Sequence, residues 1–422
     1  MSSQATYFWR KFAKPFSAML ETAGFPLNLQ CRFLIFVYAR VIGMMGPHTG
    51  KSEGSTMTFD GSPVELSWVI PKSKPLEGTA NRQIRFAIEP IDPRTGERLC
   101  GDDVLNYLVS PAGSLGIVDC QADGMIWRQA LERFLFPDAN GSQIAQGSTF
   151  FIGFEFSSAG RIALKAYYTP TPRIALSTRS SNVHDETLRL WDMDWAKLRR
   201  LIPDLDRGLS APLEKLLSFI HELDEPLRPR IQILSVDCVN GKSNRLKIYC
   251  RPRAGTSWQD ACRIFTLGGK LCDGSMTDAL AHLEILWNHL FPNFRSNSRR
   301  QLELPNTNRT RPNKRNRQHP TEGLLFYFSL QPGKDVPLPK IYLPASRYGR
   351  NDLHICNAVE KVYNSIRNCR SRQSEGWMAH EVSKVFNHRS LKAGTGIHTY
   401  VTLAYKEKGW EVTSYFSPEV WS

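Results

Sequence analysis

Two hydrophobic periods alternate along the chain. Segments of period two, the signature of strands, occur in pairs: 55–70 with 82–91, 149–157 with 161–168, 230–238 with 244–250, 322–330 with 338–343, and 397–406 with 410–417. Around and between them, apolar residues recur at helical spacing over 5–24, 28–45, 101–109, 124–135, 192–202, 211–223, 257–266, 275–289, 352–368 and 375–387. Turn signals separate several partners, among them Ser157-Ser-Ala-Gly160, Asn240-Gly241 and Lys408-Gly409. Asp60-Gly61 marks a turn or bulge within the first segment. Sequential strands joined by short turns usually pair, so the pattern predicts five antiparallel strand pairs, an α+β chain. Five pairs can close on themselves, which removes exposed edges. Helices packed outside such a barrel need an apolar outer sheet face and leave the inner face free to be polar. Two separate sheets satisfy the same periodicity.

The polar positions of the strands share a second pattern, a cation two residues before a tyrosine: Lys165/Tyr167, Lys247/Tyr249 and Lys340/Tyr342. Arg245 extends the middle pair, and Arg85 and Lys406 add cations on other strands. Tyr400 shares a face with Lys406, and Tyr415 lies on the partner of that strand. Residues two apart on a strand share a face about 7 Å apart, a spacing that suits a polyanion such as a diphosphate. One such strand is equally an ordinary sheet with a wet face. Three, each on the second strand of successive pairs, favour a shared polar interior.

Composition narrows the reading. A chain of 422 residues with 41% hydrophobic content folds around a sizeable core, as one large barrel or as two or three domains. The net charge of +14 raises nucleic acid as a partner. However, Arg295, Arg299, Arg300, Arg309, Arg311, Lys314, Arg315 and Arg317 face only Glu303, so 295–317 holds +7 of that charge. This is a basic insertion, expected to be disordered over 295–318, and it contains a tract like a nuclear-localisation signal. The remaining charge suits an anionic substrate. No run of 18 apolar residues is present, and Met1–Arg10 lacks a basic segment followed by an apolar core. No membrane association and no secretory signal are therefore expected. Nine cysteines without a CxxC pair suit a reducing, cytoplasmic setting. Asp192-Met-Asp194 and Glu222-Leu-Asp-Glu225 read as helix caps or solvated faces rather than metal sites.

The ordered set Gly61-Ser-Pro-Val-Glu65-Leu-Ser67, Arg85-Phe-Ala-Ile-Glu-Pro90, Leu164-Lys-Ala-Tyr-Tyr168, Arg245-Leu-Lys-Ile-Tyr249, Pro339-Lys-Ile-Tyr342, and Tyr400 with Lys406 and Tyr415 resembles the fungal aromatic prenyltransferases of the dimethylallyltryptophan synthase type. The likeness runs over essentially the whole chain. It implies the family's ABBA or PT barrel, ten antiparallel strands ringed by helices, as a single domain over 1–422. It also implies that Arg85, Lys165, Arg245, Lys247, Lys340 and Lys406 hold the diphosphate of dimethylallyl diphosphate, the co-substrate. Lys340 departs from the glutamine that relatives can carry there. Tyr167, Tyr249, Tyr342, Tyr400 and Tyr415 would shield the allylic cation, and Glu65 would accept an indole N–H.

The chemistry is coherent without the family. Cations stabilise a leaving diphosphate, tyrosine faces attract a carbocation and exclude water, and a carboxylate orients an N–H donor. The absence of DDxxD, with cations in its place, predicts no required cofactor or metal.

The expected activity is transfer of a dimethylallyl group to an indole-containing or related aromatic acceptor by electrophilic substitution in alkaloid-type secondary metabolism. The protein would act as a monomer or homodimer without nucleic acid. The resemblance also implies a departure: the family's tryptophan 4-prenylating member carries a lysine, suited to removing the ring proton, on the strand before a Lys-x-Tyr strand, and the corresponding Ser148-Thr-Phe-Phe-Ile-Gly153 has none, which makes attack at position 4 of free tryptophan less attractive; Glu155 is a candidate proton acceptor. The aromatic N-terminal helices are expected to be core packing rather than the lining of an opening for a larger acceptor. The competing readings are a non-catalytic barrel that binds an aromatic ligand, in which cations and tyrosines form no single pocket, and a nucleic-acid-binding protein, in which the cations spread over one outer face.

Overall fold

A computed structural model describes residues 3–48, 55, 57–70, 82–119, 122–135, 149–169, 194–239, 241–252, 255–298, 302–305, 323–366 and 375–421. The strands are β1 (Val64–Ile70), β2 (Gln83–Ile88), β3 (Val118–Asp119), β4 (Thr149–Phe156), β5 (Ile162–Thr169), β6 (Arg230–Asp237), β7 (Leu246–Arg251), β8 (Leu325–Leu330), β9 (Leu338–Leu343), β10 (His398–Lys406) and β11 (Gly409–Phe416). Each of the five expected hairpins forms, and neighbouring hairpins also pair antiparallel, β2 with β4, β5 with β6, β7 with β8 and β9 with β10. The pairing of β1 with β11 completes the ring. The result is a closed ten-stranded barrel rather than two sheets. β3, which the periodicity did not reveal, is a two-residue parallel addition to the β5 edge.

The first strand starts later than the pattern predicts. Asp60 accepts the Ser62 N–H at 3.3 Å and the Ser62 hydroxyl at 2.5 Å, and Gly61 adopts φ +79°. This local turn, which needs glycine's access to positive φ, delivers the chain into β1 at Val64. Of the basic segment 295–318, only 295–298 and 302–305 lie within the described residues. There Leu304 is buried and bridges to Thr256. At these residues the expected disorder does not hold, and the rest of the segment lies outside the described residues.

Alternation along the strands separates two environments. Outward positions such as Leu246, Ile248 and Cys250 of β7, and Ile341 and Leu343 of β9, are fully buried under helices. The helix Ser3–Thr22 inserts Phe12 and Phe16 against Phe86 of β2, with ring centroids 5.1 and 5.5 Å away. Phe154 and Phe156 complete this cluster at 4.7 and 5.4 Å. The N-terminal aromatic residues are thus core packing.

The next helical run, Leu27–Met44, is long and apolar enough by length and composition to cross a membrane, a feature the expectation from sequence overlooked. In the fold, Phe33 packs on Phe156 and Phe36 on Phe154 of the barrel wall, while Leu27, Ile35 and Tyr38 remain exposed. The run ends as a π-helical turn, Val37–Val41, and a 3-10 turn, Ile42–Met44.

Phe86 is the ring on which the N-terminal helix and β4 converge, so Phe86→Ala is expected to lower unfolding stability by about 3–5 kcal/mol. Denaturant titration checks this; a loss below about 1 kcal/mol would mean that the helix does not seal the barrel wall.

Candidate active site

Because the barrel is closed and antiparallel, the second strands of all five hairpins run in one direction. A cation two residues before a tyrosine therefore means the same thing on β5, β7 and β9. Lys165, Lys247 and Lys340 occupy one level of the lumen, and Tyr167, Tyr249 and Tyr342 the next level along the axis. Small residues alternate with them: Gly153 lies opposite Lys165, Ser235 and Ser329 flank Lys247, and Ala404 is the neighbour of Lys340. This mixture of large polar and small side chains leaves a chamber instead of a filled barrel core.

The chamber wall includes Glu65, Arg85, Lys165, Tyr167, Arg245, Lys247, Tyr249, Lys340, Tyr342, Lys406 and Tyr415, which the sequence singled out. Tyr400 is not part of that wall. Its ring lies behind Tyr342, 5.8 Å between centroids, and its hydroxyl accepts a hydrogen bond from Arg251 at 3.0 Å. Cations and tyrosines converging in one interior pocket do not match the two competing readings.

The cation level contains carboxylates that the sequence reading missed or misassigned. Arg85 and Lys165 share Glu155, with Arg85 Nε 2.8 Å from the carboxylate. Arg245 and Lys247 share Asp237 at 2.6 and 2.5 Å. Register places each arrangement: Arg85 pairs across strands with Glu155, and Lys165 with Asp237. Lys406, nearer solvent, lies 3.7 Å from Glu411.

Burial would raise the Glu155 carboxyl, but Lys165 and Arg85 outweigh it and hold it down at about 2. Burial likewise opposes ionisation of Asp237, yet Lys247, Arg245 and Lys165 keep it well below the usual carboxylate range. Glu155 is therefore a poor proton acceptor and serves as a counter-charge. Burial draws Lys247, only 4% exposed, down to about 7 against the opposing pull of Asp237. These two carboxylates had a sequence signal, since each sits at a polar position near the end of a strand next to a Lys-x-Tyr strand.

The aromatic level is tightly connected. Tyr249 lies 5.0 Å from Tyr327, 6.0 Å from Tyr342 and 6.1 Å from Tyr167 between ring centroids, and Tyr342 lies 5.4 Å from Tyr415. The hydroxyls of Tyr342 and Tyr415 share a hydrogen bond at 3.1 Å. Tyr327 was not anticipated. It pairs directly with Tyr249 across β7 and β8, but Leu325-Phe-Tyr-Phe-Ser329 is apolar on both faces and its period does not tell inside from outside.

Glu65 stands on the aromatic side. Ser67 pairs with Arg85 and Tyr415, whereas Glu65 pairs with Ala87, one inward-facing step further from the cations. The Thr399 hydroxyl donates to the Glu65 carboxylate at 2.6 Å, and among the described residues no lysine or arginine forms an ion pair with it. Burial pushes the Glu65 carboxyl up to about 8, partly offset by that hydroxyl. The two acidic patches behave as the caps and solvated faces expected of them where they are described: Asp194 caps the turn Trp195–Arg200, and Glu222 pairs with Lys270 at the surface, while Asp192 lies outside the described residues.

Comparison with known proteins places this arrangement. Residues 4–376 match the family model described as tryptophan dimethylallyltransferase. A 4-O-dimethylallyl-L-tyrosine synthase of Claviceps purpurea is 29% identical over 418 residues, covering 95% of this chain and 85% of its own. A 7-dimethylallyltryptophan synthase of Aspergillus fumigatus is 26% identical, covering 100% and 86%. The crystal structure of NotF in complex with brevianamide F and DMSPP superposes with a TM-score of 0.69 at 20% identity, covering 99% of this chain and 95% of that one. The barrel is thus the fold seen in that prenyltransferase, and this chain belongs to the tryptophan dimethylallyltransferase family of aromatic prenyltransferases.

Proposed function

We propose that the chamber joins dimethylallyl diphosphate to an aromatic amino acid, or to an indole or phenol derived from one. The observation that carries this reading is the two-level lumen, cations on one level and tyrosine faces on the next. The diphosphate would lie on the level of Arg85, Lys165, Arg245 and Lys247, with Lys406 at the rim. These residues could neutralise the charge that develops on the leaving group. The dimethylallyl group would lie among Tyr167, Tyr249, Tyr327, Tyr342 and Tyr415. Their ring faces can stabilise an allylic cation and exclude the water that would quench it. Separation of the levels matters, because cations placed against the allyl group would destabilise the same carbocation.

The acceptor would enter on the Glu65 side, where an ionised carboxylate can accept a phenolic O–H or an indole N–H and raise electron density in the ring. Relatives named for tyrosine and tryptophan prenylation support an acceptor of that size. Gly153, where a side chain would meet Tyr167 at 3.0 Å, carries no base, which supports attack at a position other than carbon 4 of tryptophan. With the cations supplying the leaving-group charge, no metal is required in this reading.

Incubation with dimethylallyl diphosphate and a panel including L-tyrosine, L-tryptophan and cyclic dipeptides of tryptophan is expected to yield a singly prenylated product, equally with and without chelator. Mass and ring position identify it. No product with any acceptor would sink the transfer reading, and loss of product in chelator would contradict metal independence.

Because the raised Glu65 carboxyl must be ionised before it can accept the acceptor's N–H or O–H hydrogen bond, kcat/KM for the acceptor should rise with pH and level off above about 8. Glu65→Gln is expected to lower kcat/KM roughly 10- to 100-fold and to remove that limb. Persistence of the limb in the variant would assign it to another group.

A further inference from the structure

Among the described residues, five of the six chamber cations have a carboxylate within ion-pair distance, and Lys340 does not. Arg85 and Lys165 have Glu155, Arg245 and Lys247 have Asp237, and Lys406 has Glu411. Lys340 is 3% exposed, and among the described residues its Nζ forms no ion pair. It donates instead to Thr413 Oγ1 at 3.3 Å and to the Tyr415 hydroxyl at 3.1 Å. Three rings surround the amine, with centroids at 5.1 Å (Tyr342), 5.2 Å (Tyr415) and 5.8 Å (Tyr327).

A buried amine without a counter-ion is least costly when neutral. Burial pushes Lys340 well below the usual lysine range, and the neighbouring charges of Arg85, Lys406 and Lys247 act in the same direction against the opposing charge of Glu411. The position reinforces this. An ammonium here would sit against the ring faces proposed to hold the allylic cation and would repel it. A neutral amine leaves those faces available and points a lone pair into the chamber.

We propose that Lys340 is a catalytic base, which accepts the proton the aromatic acceptor loses on alkylation at a ring carbon. The assignment rests on the transfer reading above. In the first step the allylic C–O bond breaks and its electron pair leaves with the diphosphate. The acceptor's electrons then form the new bond to the allylic carbon, leaving a cationic adduct. Lys340 takes the proton from that adduct, directly or through the Tyr415 hydroxyl, and the released electron pair restores the aromatic ring. Lys340 thus becomes an ammonium only after the carbocation is consumed, at the time when free diphosphate adds negative charge beside it.

Lys340→Gln and Lys340→Arg test the assignment together, since glutamine removes the base and arginine keeps a cation that does not accept protons. Binding of a non-reactive dimethylallyl thiolodiphosphate, read by titration and by its thermal stabilisation, reports both folding and the donor site. Both variants are expected to bind the analogue within about threefold of the wild-type Kd and to lose roughly 100-fold or more in kcat. Where alkylation occurs at carbon, deuterium at that carbon should slow the variants more than the wild-type enzyme. Wild-type kcat in either variant overturns the assignment. So does restored turnover in the arginine enzyme beside weakened donor binding in the glutamine enzyme, which would make Lys340 a diphosphate ligand. If the glutamine enzyme fails to fold, the arginine enzyme decides alone. An absence of wild-type turnover with every acceptor overturns the transfer reading itself, and the base assignment falls with it.

Discussion

Arg85 and Lys165 converge on Glu155, and Arg245 and Lys247 converge on Asp237, so the lumen carries its positive charge in two carboxylate-centred clusters. Four like charges taken out of water without counter-ions would either neutralise or drive the walls apart. Burying a carboxylate within each pair of cations offsets that desolvation and fixes where the cations point. Removing one partner of such a buried pair typically costs about 3–5 kcal/mol, because the other is left uncompensated. The rest of the site depends on this balance. Each cluster contains two cations and one carboxylate, so an excess of positive charge remains for a polyanion, on side chains already held in place.

The barrel meets two conflicting requirements of the chemistry. A departing diphosphate needs cations, and the carbocation it leaves needs electron-rich faces and no cation nearby. Alternate strands of a closed antiparallel sheet run in the same direction, so one Lys-x-Tyr spacing repeated on β5, β7 and β9 builds both environments as successive levels. The helices outside need only an apolar surface, which the other strand face provides, as at Leu246, Ile248 and Cys250. Glu65, beyond the cation level and held by Thr399, would place the acceptor's polar hydrogen on the side away from the diphosphate. Lys340 is the exception among the cations: among the described residues it forms no ion pair, which would suit it to the different task proposed for it.

Much of this was legible in the sequence because alternation on half-polar strands is unambiguous. Arg245-Leu-Lys247-Ile-Tyr249 announces its own inside and outside, and the recurrence of the same spacing identified β5 and β9. Legibility failed where that contrast disappears. Tyr327 sits in a strand that is apolar on both faces, so only its pairing with Tyr249 reveals it. The roles of Glu155 and Asp237 were harder to read for another reason: each carboxylate also meets a cation from a different hairpin, Arg85 of β2 beside Glu155 and Lys165 of β5 beside Asp237, and sequence spacing does not show which hairpins are neighbours. Glu155 looked like a proton acceptor until Arg85 and Lys165 were seen beside it. Tyr400 kept the correct face yet lies behind Tyr342, a matter of depth that periodicity does not encode. The early start assigned to β1 failed because the Asp60-Gly61 turn consumes residues that resemble a strand.

The central claim is that the two levels divide the donor between them. A crystal structure with dimethylallyl thiolodiphosphate and an aromatic amino acid tests it most directly. The account predicts diphosphate oxygens within hydrogen-bond distance of Arg85, Lys165, Arg245 and Lys247, the five-carbon group between the rings of Tyr249, Tyr327 and Tyr342, and the acceptor's polar hydrogen on Glu65. A diphosphate bound away from those four cations, or an allyl group lying against them instead of the tyrosines, would contradict it.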